Sequence, residues 1–67
     1  MAGFFSEGLA RVTIGGKYGY IDKSGKIIIN PQFDDAENFL GGLAQVRIGE
    51  KKYYINKTGR FRWEVPK

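Results

Sequence analysis

Apolar and polar residues alternate with a period of two in two short segments of the chain, LARVTI at positions 9–14 and LAQVRI at positions 43–48. This period is typical of β-strands that bury one of their two faces. One side of the predicted strands holds Ala10, Val12 and Ile14 in the first segment and Ala44, Val46 and Ile48 in the second. The other side holds Leu9, Arg11 and Thr13, or Leu43, Gln45 and Arg47.

Turn signals follow each of these strands. Gly15-Gly16 and Gly49-Glu50 stand where a two-residue hairpin turn is expected, because glycine tolerates the positive φ that such turns require. Each second strand leads into an Asp or Asn three places before a glycine, a spacing that predicts a type I turn closed by a left-handed glycine. The predicted second strands are Lys17–Ile21 and Lys51–Ile55, and the turns are Asp22–Gly25 and Asn56–Gly59.

Third antiparallel strands are predicted at Lys26–Ile29 and Arg60–Val65. In the later one, Phe61, Trp63 and Val65 alternate with charged residues, which predicts a half-buried strand with Trp63 in the core or in a subunit contact. Asn30-Pro31 is expected to end the earlier one, since proline offers no donor to a β-ladder.

The connecting segment PQFDDAENFLGG (31–42) lacks clear alternation. It predicts a short bridge at Gln32-Phe33 and then a turn or one helical turn, with Phe33, Ala36 and Phe39 facing inward. The fold class predicted is therefore all-β. About six short strands form two tandem antiparallel three-stranded meanders around one small core, with one irregular segment at about 33–39.

The chain matches itself when position 5 is aligned with position 39. Across positions 5–29, nearly half of the amino acids are identical to those at positions 39–63, without a gap. Repeats of this size are supersecondary units that need a neighbour to bury their apolar face. The sequence predicts a single domain, residues 1–67, of two repeats at about 5–38 and about 39–65, which we call unit one and unit two.

The duplicated positions resemble a known family. The series FSEGLA at 5–10, GKYGYIDKSGK at 16–26 and PQFDDA at 31–36 closely resembles the bacterial WG repeat, with Tyr18-Gly19 at the Trp-Gly pair. The resemblance covers nearly the whole chain. It implies a β-rich tandem module without general catalytic activity, acting in binding or assembly. In the second copy Lys52-Tyr53 replaces the aromatic-Gly pair and Arg62 replaces an aliphatic residue, which suggests the end of an array.

The amino-acid composition excludes several common kinds of catalytic and metal site. The chain contains no histidine and no cysteine, which removes the commonest general base, the thiolate nucleophile and the familiar zinc sites. Asp34, Asp35 and Glu37 form one acidic cluster, too small for a hard-cation site and interpreted as turn carboxylates or a helix N-cap. We expect no enzymatic activity, no metal and no cofactor.

Net charge is +4, and residues 46–67 carry most of it, with seven basic and two acidic groups. Basic and aromatic residues gather there, namely Arg47, Lys51, Lys52, Tyr53, Lys57, Arg60, Arg62 and Trp63. This composition allows a small single-stranded nucleic-acid-binding β domain as the alternative function. Alternation argues against it, because Arg60 and Arg62 point away from Phe61 and Trp63.

The leading interpretation is a non-catalytic interaction module that acts through sheet surface or exposed edges. Its expected partner is a protein, either a second copy in a homodimer or a neighbouring repeat, because open strand edges invite pairing. No apolar run is long enough to cross a bilayer and the first residues do not form a signal peptide, so a cytoplasmic location without a membrane partner is expected. The candidate partner-binding residues are Tyr18, Lys52, Tyr53, Arg60 and Arg62.

Overall fold

Eight strands form two antiparallel sheets in the computed structural model, which describes residues 2–66 and the side chains from residue 5 onward. Sheet 1 contains β1 (Ala2–Ser6), β2 (Leu9–Ile14), β3 (Lys17–Asp22) and β4 (Ile27–Phe33). Sheet 2 contains β5 (Asp35–Ala36), β6 (Leu43–Ile48), β7 (Lys51–Asn56) and β8 (Phe61–Glu64). In both sheets the strands lie side by side in chain order. The all-β class is confirmed, but each sheet has four strands, so the prediction of three-stranded meanders is wrong.

The additional strand comes first in each sheet. Residues Ala2–Ser6 pair with β2, and Asp35–Ala36 pair with β6. Neither segment alternates clearly in sequence, so periodicity gave no signal for them. Two-residue turns bring the chain back against the next strand. Glu7-Gly8 and Gly41-Gly42 have φ of 56°, 84°, 62° and 81° respectively, the signs that a type I′ turn requires.

The predicted turns after β2, β3, β6 and β7 are confirmed. The chain reverses at Gly15-Gly16 and at Gly49-Glu50 by two-residue connections. In the other two turns one side-chain oxygen closes the loop. Asp22 Oδ1 accepts the amides of Ser24 (2.9 Å) and Lys26 (3.0 Å), and Asn56 Oδ1 does the same for Thr58 and Arg60.

Strand β4 continues through Asn30-Pro31, where the sequence predicted its end. It runs as far as Phe33, so the predicted separate bridge at Gln32-Phe33 is part of this strand. Proline is tolerated here because β4 lies at the edge of sheet 1 and is bulged. Tyr18 pairs with Phe33 and Tyr20 pairs with Ile29, so a two-residue step on β3 spans a four-residue step on β4.

Strand β8 is shorter and more exposed than predicted. It covers Phe61–Glu64 instead of residues 60–65, and all four of its residues are exposed. Trp63 has half of its surface exposed, so its predicted place in the core is wrong. The predicted alternation of β8 is interrupted at Arg62. Phe61 pairs with Ile55 on the core side, whereas Trp63 pairs with Tyr54 on the opposite side, which no further sheet covers among the described residues.

The core lies between the two sheets, and the sheets use opposite faces to form it. We call the side of each sheet that holds Leu9 or Leu43 its leucine face, and the side that holds Ala10 or Ala44 its alanine face. Sheet 1 contributes its leucine face to the core, and sheet 2 contributes its alanine face. The core residues of sheet 1 are Leu9, Tyr20, Ile29 and Phe33, and those of sheet 2 are Ala36, Phe39, Ala44, Val46 and Ile55.

The segment between the sheets contains one short strand and otherwise irregular structure. Phe33, Ala36 and Phe39 are fully or almost fully buried, as predicted. The predicted helical turn is wrong, since β5 forms at Asp35–Ala36 and residues 2–66 contain no helix. It follows that the described residues contain no helix that could span a membrane.

Candidate functional site

The outer face of sheet 2 carries exposed apolar side chains. It is the leucine face of that sheet, because Gln45 pairs with Tyr54, and Tyr54 in turn pairs with Trp63. The rings of Tyr54 and Trp63 lie 5.5 Å apart, and Leu40 pairs with Leu43 beside them. Leu40 is 82% exposed and Trp63 50%. Exposed apolar side chains grouped on one sheet face are a common feature of interaction sites on soluble proteins.

The outer face of sheet 1 is also apolar. It is the alanine face, on which Ala10 pairs with Phe5 and with Ile21, and Ile21 with Ile27. Phe5, Ile14 and Ile27 are each exposed by about half of their surface, whereas the smaller Ala10 and Val12 are buried. Although Ala10 and Val12 are buried, they do not belong to the core between the sheets. Each end of the two-sheet stack therefore presents an apolar face.

Residues at equivalent positions of the two units differ in burial, because another sheet packs on one of them and not on the other. Tyr20 and Ile29 of sheet 1 are 0% and 3% exposed, because sheet 2 and its leading segment lie on them. Their equivalents in unit two lie on the outer face, where Tyr54 is half-buried and Trp63 is exposed. The same repeat positions thus form core in one unit and free surface in the other.

Three side chains of sheet 1 fix the segment that leads into sheet 2. The Ser6 hydroxyl donates to the Phe39 carbonyl at 2.5 Å, Nη1 of Arg11 donates to the Ala36 carbonyl at 2.7 Å, and the Tyr20 hydroxyl donates to the Glu37 carbonyl at 2.5 Å. Burial raises the pKa of the Tyr20 hydroxyl, which keeps it a neutral donor. In unit two these positions are Leu40, Gln45 and Tyr54, so two of the three donors are replaced.

A carboxylate joins the first hairpin turns of the two units. Glu7 Oε2 accepts the Gly41 amide at 2.6 Å, and Oε1 accepts the Gly42 amide at 2.8 Å. Lys57 Nζ lies 3.6 Å from the same carboxylate. These backbone hydrogen bonds, that of Gly42 foremost, lower the pKa of Glu7. We call this contact the Glu7 clamp.

A second carboxylate makes a similar connection at the other end of the sheets. Asp34 Oδ1 pairs with Lys17 Nζ, and Oδ2 accepts the Gly49 amide at 2.7 Å. The hydrogen bond from Lys17, followed by that from Gly49, lowers the pKa of Asp34. Asp34 was predicted as a turn carboxylate or helix cap, but its role is to tie β3 to the second hairpin turn of sheet 2.

The contacts of Gly19 explain why glycine follows the aromatic residue in this pair. A Cβ at this position would lie 2.5 Å from the Ile29 carbonyl oxygen and 2.7 Å from the Pro31 nitrogen, both backbone atoms of β4. Glycine therefore allows the bulged part of β4 to approach β3. In unit two the equivalent residue is Tyr53, and β8 pairs without that bulge, with Tyr53 opposite Glu64.

The five predicted partner-binding residues do not form one surface. Tyr18 and Tyr53 are half-buried and pack against the core cluster, and the guanidinium of Arg11 lies over the Tyr18 ring. Arg60 is exposed in the turn before β8, and Arg62 is exposed at the register shift of that strand. Lys52 pairs with Arg47 on the outer leucine face of sheet 2, beside Tyr54 and Trp63.

Sequence reasoning missed the residues that the outer faces depend on most. Leu40 and Tyr54 were not chosen as partner-binding residues, and neither was Phe5. The period of a strand puts Tyr54 on the side opposite Tyr53 and Ile55, but nothing local to the strand says which side another sheet will cover. The acidic cluster also behaves differently from a ligand set, since no group of three Asp or Glu in the described residues is arranged to hold a metal ion.

Two stacked antiparallel sheets, built on the same repeated sequence unit, define an all-β tandem-repeat protein. The sequence profile of the family described as WG containing repeat matches residues 1–18 and 18–51, and the chain belongs to this family. The second match starts at Tyr18 and spans one repeat length, so the family repeat begins at the aromatic-Gly pair in β3. A search of curated proteins and a search of solved structures gave no match.

Proposed function

We propose that the chain is a non-catalytic interaction module that binds a protein partner through its outer sheet faces. The observation that carries the proposal is the exposed apolar surface at both ends of the stack, with Leu40 and Trp63 at one end and Phe5 and Ile14 at the other. A domain of this size has few apolar side chains to spare for its surface, and large exposed patches mark interaction sites. Membership of a repeat family agrees with this function.

Affinity capture with the intact chain as bait tests the proposal. Trp63→Asp alters the outer face of sheet 2, and Phe5→Asp alters that of sheet 1. Thr13→Asp serves as the control, because Thr13 is exposed and lies on neither outer face. We expect specific proteins that are retained by wild type and by the control and lost with at least one face variant. Binding of each purified candidate is then measured directly. Partners that bind all variants equally would contradict the proposal.

Single-stranded nucleic acid is a second candidate ligand, and one observation favours it. Lys52 and Arg47 share the outer leucine face of sheet 2 with Tyr54 and Trp63, so cations and stackable rings lie together. Binding of labelled single-stranded DNA across a salt series tests this candidate. A steep loss of affinity with salt, and a further loss in Lys52→Ala, is the expected result. Absence of binding at low salt would exclude it.

A further inference from the structure

The contact between the two sheets is directional. The leucine face of sheet 1 lies against the alanine face of sheet 2, so the two units stack in a head-to-tail order. A stack of this kind leaves two different faces at its ends, an alanine face on sheet 1 and a leucine face on sheet 2. We propose that these two faces bind each other between copies of the chain, so that the leucine face of sheet 2 docks on the alanine face of sheet 1 in the next copy. This inference rests on the proposed function and names the partner.

We call the proposed interface between copies the joint between copies, and the contact between the two sheets the joint within the chain. Residues at equivalent repeat positions would form both. Within the chain, Phe39 packs edge-on against Tyr20, with ring centroids 4.8 Å apart. The residue equivalent to Phe39 is Phe5, which is exposed on the outer alanine face, and the residue equivalent to Tyr20 is Tyr54, on the outer leucine face. Phe5 of one copy is therefore positioned to pack against Tyr54 of another as Phe39 packs against Tyr20.

A second contact repeats in the same way. Ile29 lies against Gly59 in the turn before β8, where a Cβ on the glycine would approach its side chain to 3.2 Å. The equivalents are Trp63 on the outer leucine face and Gly25 in the turn before β4. Trp63 presents a larger apolar surface to this turn than Ile29 does, and large aromatic side chains are the commonest anchors of protein interfaces.

The joint between copies lacks the charged clamp of the joint within the chain. The residue equivalent to Glu7 is Gly41, so the outer turn of unit two has no carboxylate to accept the turn amides of the next copy. Ser6 and Arg11 are replaced by Leu40 and Gln45, so the hydroxyl donor is lost and the guanidinium donor gives way to a shorter, uncharged amide. The joint thus lacks these polar contacts and is weaker than the internal one, and we expect reversible, concentration-dependent association.

The geometry also fixes the symmetry of the assembly. Two unlike faces make a heterologous contact, which extends into a chain of copies unless the rotation closes a ring. A two-fold homodimer, expected from the sequence alone, would instead pair two identical faces. The two arrangements differ in their response to blocking a single face.

Sedimentation of single-face variants and of their mixture tests the proposal. Trp63→Asp blocks the leucine face of sheet 2, and Phe5→Asp blocks the alanine face of sheet 1. Each side chain is exposed, so neither change empties the core, and circular dichroism verifies the fold. We expect each variant alone to associate at least about tenfold more weakly than wild type. An equimolar mixture should form dimers and no larger species, because each copy then keeps one complementary face.

A gain-of-function variant gives an independent measurement. Gly41→Glu installs at the open end the carboxylate that Glu7 supplies within the chain, and Glu7 itself adopts the same left-handed backbone at this position. We expect self-association to tighten by about tenfold, the effect of a charge-assisted hydrogen bond. Gly41→Gln, which matches the shape without the charge, should give a smaller gain. Equal behaviour of wild type and Gly41→Glu would contradict the joint.

The outcomes separate this inference from the proposed function. Ile48→Asp, at an exposed apolar residue on the alanine face of sheet 2, is the control and should leave association unchanged. A wild type that stays monomeric at about 1 mM, the weak end of measurable association, overturns the inference. The inference is also overturned if Trp63→Asp alone or Phe5→Asp alone associates as strongly as wild type. If such a monomer still captures another protein or single-stranded DNA through Trp63, the face binds that ligand instead. Loss of all dependence on Trp63 and Phe5 would overturn the proposed function as well.

Discussion

Tyr20 and Tyr54 occupy the same position of the duplicated units and pair with equivalent neighbours, yet only Tyr20 is buried. The hydroxyl of Tyr20 donates to the Glu37 carbonyl, whereas that of Tyr54 has no hydrogen-bond partner among the described residues. Since the residue type is the same, the difference comes entirely from what lies on top of each ring. The duplication thus provides a matched control for single substitutions.

Tyr20→Phe is expected to lower the free energy of unfolding by about 1–2 kcal/mol, because it removes one hydrogen bond and leaves a partly buried carbonyl without a donor. Tyr54→Phe, the matched control, should change it by less than about 0.5 kcal/mol. Urea denaturation followed by tryptophan fluorescence measures both. Equal losses in the two variants would show that the hydroxyl contact contributes nothing specific.

Gly19→Ala tests the close approach of β4 to β3. In an ordinary strand the change from glycine to alanine stabilises the fold by about 0.5–1 kcal/mol. Here the added Cβ would meet backbone atoms of Ile29 and Pro31, so we expect a loss of about 1–3 kcal/mol instead. A decrease in the free energy of unfolding would support the close approach of β4, and an increase would contradict it. Thr13→Ala, at an exposed position of the same sheet, should have little effect.

Hairpin turns are the elements that hold the two units in register. The Glu7 clamp joins the turn between β1 and β2 to the turn before β6, and Asp34 joins β3 to the turn between β6 and β7. Both carboxylates accept backbone amides of turn glycines in sheet 2, and both have lowered pKa values. Because their charged form is favoured in the folded state, the stability that they supply depends on pH.

The pH dependence of Glu7→Gln follows from the direction of this shift. The pKa of Glu7 is lowered from its ordinary value of 4.5, so the ionised clamp stabilises the fold above about that pH, and this contribution is lost as pH falls through the lower folded-state pKa. Wild type should therefore be more stable than Glu7→Gln at neutral pH, and the gap should close below pH 4.5. Urea midpoints across this range measure it.

Glu50→Gln is the control for that comparison, since Glu50 is an exposed glutamate in the turn between β6 and β7. Its difference from wild type should remain small at neutral pH. A difference between wild type and Glu7→Gln that stays constant with pH would contradict the assignment of the clamp to the ionised carboxylate.

At the scale of the whole molecule, one core serves both sheets. The cluster includes residues from β2, β3, β4, β5, β6 and β7, and Phe39 in the connecting segment packs against Tyr20 of sheet 1. Neither sheet could bury its core face without the other. We therefore expect the two units to unfold together in a single transition, as small single domains usually do.

Phe39→Ala tests this shared core. Removal of a fully buried phenylalanine should cost about 3–5 kcal/mol and destabilise both sheets at once. Phe5→Ala, at the equivalent and exposed position, should cost less than about 1 kcal/mol. Thermal unfolding monitored by far-ultraviolet circular dichroism and by Trp63 fluorescence should give coincident transitions. Separate transitions would show that the units fold independently.

The local structure was largely predictable from the sequence because local forces decide it. Alternation identified β2 and β6, and the turn signals on either side placed β3 and β7. The Asp or Asn to glycine spacing identified the turns after β3 and β7, where one side-chain oxygen accepts two amides. The predicted inward positions of Phe33, Ala36 and Phe39 were also right. The two leading strands were missed, since β1 and β5 depend on pairing with β2 and β6 more than on their own composition.

The sequence by itself determined the duplication, the all-β class and the two sides of each strand, because periodicity and turn chemistry act within a few residues. Only the tertiary structure decided which side of each sheet becomes core. Sheet 1 buries the side of Leu9 and sheet 2 buries the side of Ala44, although the two strands read almost alike. The reason is physical: units stacked head to tail must use opposite faces, so identical sequence positions become core in one unit and open surface in the other.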